Sequence, residues 1–142
     1  MRLISDAARL TRAERALALQ AGVWLMLSRV ALRLCSFAVV RRALAGVPSR
    51  ARSSRSATPA ACARATDRAA RLLPSSTCLA RAIATAALLR RHGYASTLGL
   101  QVAVTDARSL DAHATLEVDG AVIVGGDVPS RQTLMRDHVA LS

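Results

Sequence analysis

Between Ser96 and Val104 apolar residues fall on alternate positions, so that Leu98, Leu100, Val102 and Val104 share one face. A period of two predicts a strand with one covered face. The alternation returns further on. Ala112, Ala114, Leu116 and Val118 share one face, and His113, Thr115 and Glu117 the other. Asp119-Gly120 then reads as a two-residue hairpin turn, with the returning strand in residues 121–126. Before Gly93 the period is helical. Leu79, Ile83, Ala86 and Ala87 form a stripe that leaves Arg90 outside. This helix takes Ser76 or Thr77 as N-cap and stops at His92-Gly93, a glycine C-cap. An earlier helix starts at Thr58-Pro59, a cap followed by proline at the first helical position, and ends before Pro74. Thr11 and Glu14 have capping-box spacing. One helix, or two joined near Gly22, should run from there to about Leu44. Helices first and an antiparallel sheet packed on them afterwards predict an α+β fold. Residues 1–47 read as a helical region, 48–58 as an Arg/Ser/Pro linker, and 59–142 as the domain that carries the sheet.

Composition sharpens this picture. The chain of 142 residues is 52% hydrophobic but only 2% aromatic, so its core must be aliphatic. All 20 basic residues are arginine, and the net charge is +11. Seventeen arginines and three acidic residues lie up to Arg91; after it, three arginines face six acidic residues. The basic part suits an acidic partner or an anionic surface, or is a set of solvated helix faces. The uncharged run Ala16–Ser28 covers 13 residues and is followed by Arg29 and Arg33. A span needs about 20. The run is therefore read as a buried or interfacial helix, with a protein partner or peripheral membrane contact on its outer side, and a cytoplasmic location is expected. Three cysteines without paired spacing exclude a disulfide framework, and no ligand pattern for zinc is present; neither a metal nor a cofactor is expected.

The candidate chemistry lies where the two periods meet. Cys78 opens a helix, and thiolates are stabilised there. The dipole alone is worth roughly 0.3–1 kcal/mol, too little to make a strong nucleophile. A neighbouring imidazolium would. His113 stands mid-strand among small residues. With Asp119-Gly120 as the turn, Val118 faces Ala121, Leu116 faces Ile123, and His113 faces Gly126, which puts Asp127 beside it. A bulge at Gly125-Gly126 would bring the Asp127 side chain to the same face. Cys78, His113 and Asp127 thus form a candidate nucleophile, base and orienting acid. Asp111, two residues before His113, competes for the third role; Asp119 is a turn residue too far along the strand. Cys35 and Cys62 read as inert helix residues, His92 as a helix-end residue favouring the dipole, and His138 as part of a solvated tail.

Three segments in order carry a resemblance: Cys78-Leu79-Ala80-Arg81, Leu88 to Gly93, and His113 to Gly120. Together, over roughly residues 58–128, they resemble the stand-alone leader peptidases of lasso-peptide biosynthesis. Those enzymes sit in the transglutaminase-like superfamily of papain-type cysteine proteases. The resemblance implies Cys78 as nucleophile, His113 as base and Asp127 as orienting acid. It also implies a lasso precursor peptide as substrate, a separate leader-recognition protein, and an asparagine-synthetase-like cyclase that acts next. The chain has no segment for a leader-recognition domain, in keeping with a separate protein. It departs from the family pattern at Thr115, where Trp is frequent.

Two other readings use the same residues. A Cys-dependent acyltransferase would keep the triad. A non-enzymatic Arg-rich module would bind nucleic acid or a membrane surface. Nucleic acid is disfavoured by the lack of lysine, the scarcity of aromatics and the absence of a recognisable binding motif.

Overall fold

The computed structural model describes residues 10–49, 56–73, 76–104, 110–126 and 133–141. Four helices come first: α1 (Arg12–Leu34), α2 (Phe37–Ala45), α3 (Pro59–Leu72) and α4 (Cys78–Arg91). Four strands follow: β1 (Ser96–Val104), β2 (Leu110–Val118), β3 (Ala121–Val124) and β4 (Thr133–Leu141). They form one antiparallel sheet in the order β3-β2-β1-β4. The fold is α+β, as the change of period predicts.

Local chemistry sets the helix ends. The Thr11 hydroxyl accepts the Glu14 N–H at 3.2 Å, and the Glu14 carboxylate accepts the Thr11 N–H at 2.9 Å. These bonds hold the Glu14 carboxyl below its usual range. Thr58 caps α3, with Pro59 next to it. At the end of α4, Tyr94 N–H reaches Leu89 O and Gly93 N–H reaches Arg90 O, both at 3.0 Å. This is a Schellman end, and Gly93 has the positive φ of 81° that it requires.

The N-terminal helix differs from the expectation. α1 runs unbroken through Gly22 for 23 residues, and the break falls at Cys35-Ser36. A helical glycine costs about 1 kcal/mol, and tertiary packing of Leu17, Ala21 and Leu25 overrides it. By length and composition α1 could cross a membrane, but this one face is buried against α3 and α4.

α4 is the axis of the core. Every residue from Ala82 to Leu89 is buried, not only one stripe. Five of these eight are alanine or threonine, short enough for α1 and α3 to close over one side and β1 and β2 over the other. Buried Thr85 donates its hydroxyl to Arg81 O at 2.9 Å. Arg90, outside the expected stripe, reaches back to the end of α2, donating to Val47 O at 2.9 Å and Ala45 O at 2.8 Å. Much of the expected linker lies outside the described residues. Ser56, near its end, has its hydroxyl 3.1 Å from Nδ1 of His92. His92 is therefore a buried tie between two segments as well as a helix end.

Cys62 is fully buried on α3, and burial pushes its thiol up to about 11 from an ordinary 9.0. The unfolded chain ionises this thiol near 9, while the folded chain keeps it neutral. Its stabilising contribution is complete below pH 9 and disappears as the pH rises towards 11. Urea midpoints should fall over that window, and the Cys62→Ala protein should show a shallower fall.

β4 puts His138 in a strand where a tail was expected. That residue pairs with Gly99 in a strand along the free edge of β1. The hairpin also needs a correction. Asp119 and Gly120 make the expected turn, with φ of 50° and 80°, and Val118 faces Ala121. Leu116, however, faces Val124 rather than Ile123, because the register shifts between Leu116 and Glu117. The irregularity therefore begins before the two glycines.

Candidate active site

Cys78 is the first residue of α4. Thr77 is the cap, accepting the Ala80 N–H on its hydroxyl at 3.2 Å. The thiol is half-buried at the border of the core, whereas Cys62 is buried and Cys35 exposed. One turn into the helix, Arg81 forms an ion pair with Asp67 of α3. Both side chains are more than a third exposed, so the pair adds at most about 1 kcal/mol of stability. It does fix how the start of α4 lies against α3. Asp67 was not singled out from the sequence, though a signal existed: it is the only acidic residue between Glu14 and Asp106. Around the pair, Asp67, Ala70, Arg71, Ser76 and Arg81 line an open polar cleft of about 240 Å³. Ser76 lies two residues before Cys78.

His113 is half-buried in β2, opposite Gln101 of β1. Alternation sets it on the sheet face of Thr115 and Glu117, while Ala114, Leu116 and Val118 join the core under the helices. Its Nε2 lies 3.2 Å from Gly125 O, just past the end of edge strand β3. A carbonyl only accepts, so Nε2 carries the hydrogen of the neutral ring. Nδ1 is then the nitrogen that can take a proton. This contact depends on glycine. Gly125 has φ 78°, and a Cβ there would stand 2.4 Å from Ala114 O and 3.3 Å from His113 Nε2. Gly126 is different: a Cβ would meet only Val122, at an ordinary 3.7 Å. A backbone carbonyl leaves no mark in a sequence, so this partner of His113 was not foreseen.

The elements that carry Cys78 and His113 are in contact. α4 packs on β2, and α3 packs on both α4 and β3. Cys78 borders the helix-covered core to which Ala114 belongs, whereas alternation turns His113 to the other face of β2, so the described geometry does not by itself bring the thiol and the imidazole together. Thr115, the departure from the family pattern, is buried, and its hydroxyl lies 3.4 Å from Gly99 O. Asp111 is in β2 opposite Ala103. Asp127 lies outside the described residues.

A protein-family model described as transglutaminase-like superfamily matches residues 22–136. Searches of curated proteins and of solved structures returned no match.

Proposed function

The chain belongs to the transglutaminase-like superfamily, and from that premise we propose that it is a cysteine peptidase that removes the leader from a lasso-peptide precursor. The superfamily includes cysteine peptidases and acyltransferases and is generally catalytic. One observation carries the mechanistic reading: the Gly125 carbonyl holds His113 by Nε2, which keeps Nδ1 as the basic nitrogen.

In the proposed mechanism Nδ1 of His113 takes the proton of the Cys78 thiol. The thiolate attacks the scissile carbonyl and forms a thioester, and His113 returns the proton to the leaving amine. Water, deprotonated by the same imidazole, then hydrolyses the thioester. The oxyanion formed in each half meets the positive end of α4. Asp127 is proposed as the acid that stabilises the imidazolium by its nearby charge, since Gly125 O already takes the Nε2 hydrogen and Nδ1 serves the thiol. It is the acid that follows Gly125 and Gly126 in the sequence, two residues after the carbonyl that holds His113. Hydrolysis is favoured over acyl transfer by the motif order of Cys78-Leu79-Ala80-Arg81 and His113 to Gly120, which resembles the leader peptidases. On this reading a separate leader-recognition protein delivers the precursor, and an asparagine-synthetase-like cyclase takes the product.

The test is mass spectrometry of precursor incubated with this protein and the leader-recognition protein. A single cut that frees the core peptide is expected. If the precursor is instead joined to an added amine, the activity is acyl transfer. Asp127→Asn should slow cleavage and Asp111→Asn should leave it nearly unchanged; the reverse order would reassign the third residue.

A further inference from the structure

Buried Leu17, Ala21 and Leu25 occupy only one face of α1. On the opposite face Leu19, Val23, Met26 and Val30 are exposed, at 72%, 59%, 46% and 49%. Their spacing of four, three and four residues is that of a coiled-coil seam. Exposed Leu27 and Leu34 widen it on one side. A stripe this narrow and regular matches the surface of another helix, whose side chains fill such holes. An interfacial lipid-binding helix usually has a broader face with aromatic residues, and none of these exposed residues is aromatic.

Charge selects the partner. Arg12 and Arg33 stand one heptad outside Leu19 and Met26, and Arg29 runs along the edge. The only acidic residue of α1 is Glu14, and its carboxylate is taken by the Thr11 cap. A second copy of α1 would therefore bring arginines and no available carboxylate. We infer that the outer face of α1 docks an amphipathic helix of another protein, one with an apolar seam and carboxylates along its edges.

The probe is a labelled synthetic peptide of ~28 residues, with Leu and Ile at the seam positions and Glu along both edges. Glu–Glu repulsion keeps it from pairing with itself. A second peptide carries Lys in place of every Glu. Fluorescence anisotropy with the full chain should show the Glu-edged peptide binding at least about tenfold more tightly than the Lys-edged one. Val23→Glu and Met26→Glu should each abolish binding. Arg29→Glu combined with Arg33→Glu should reverse the preference. Val23, Met26 and Arg33 are exposed and Arg29 is half-buried at the edge of α1, so unchanged far-UV circular dichroism should accompany these losses. Equal affinity for both peptides, or binding that survives Val23→Glu, would overturn the inference. So would sedimentation showing a dimer that Val23→Glu dissolves, or binding to phosphatidylglycerol vesicles with no binding to either peptide.

Discussion

Cys78→Ala should leave the precursor uncut, with a rate at least about 10³-fold below the parent protein, because the proposed thioester forms on Cys78. Cys62 cannot take over: it is fully buried and its thiol is pushed up to about 11. His113→Ala should lose about 10²–10⁴-fold, the usual contribution of a positioned base. The His113 loss should shrink as the pH rises, since hydroxide then ionises the thiol without help. Cys78→Ala should gain nothing from pH. Mass spectrometry of the precursor over a pH series separates the two effects.

Gly125→Ala should be nearly as damaging. The added methyl would lie 2.4 Å from the Ala114 carbonyl, which is backbone and cannot swing aside, and φ of 78° is unfavourable for alanine. The segment must move, and the carbonyl that holds His113 moves with it. A displacement of about 1 Å at a catalytic group costs about 10²-fold in rate. The expected result is that loss in kcat, together with a destabilisation of about 2–4 kcal/mol in urea. Gly126→Ala is the control. Its methyl meets Val122 at 3.7 Å, so both activity and stability should stay near those of the parent. Equal effects at the two glycines would mean that the Gly125 contact does not position His113.

What could be read from the sequence was local. Thr11 with Glu14, Thr58 with Pro59, and the Gly93 end each close hydrogen bonds within a few residues, so their spacing alone announces them. Asp119-Gly120 belongs with these, because two positive φ values are needed at adjacent positions. Features that depend on distant partners were not legible. β4 carries Arg136, Asp137 and His138 in its middle, which breaks any alternation; the open edge of β1 makes it a strand. The Arg90 tie to the end of α2 spans 43 residues to Val47. α4 looked one-faced because alanine scores weakly as an apolar signal, although alanines are what let it be enclosed on all sides.

The candidate site divides in the same way. The placement of Cys78 at the start of a capped helix followed from the residues Ser76, Thr77 and Cys78 themselves. The hairpin that carries His113 followed from its turn. The register beyond that turn did not, because a one-residue shift at Leu116/Glu117 has no sequence signature apart from the glycines that follow. The Asp67–Arg81 pair needed the packing of α3 on α4 to become visible.

The central claim is that His113 activates the Cys78 thiol, and alkylation kinetics test it without any substrate. Native protein should be treated with iodoacetamide from pH 5 to pH 9, and the three cysteines followed separately by peptide mass spectrometry. Cys35, which is exposed, serves as the ordinary thiol, and buried Cys62 as the unreactive one. Cys78 should react faster than Cys35 at pH 6, because the proposed base draws off its proton as the thiol attacks. In the His113→Ala protein that advantage should vanish. A Cys78 rate that tracks Cys35 at every pH, unchanged by His113→Ala, would contradict the account.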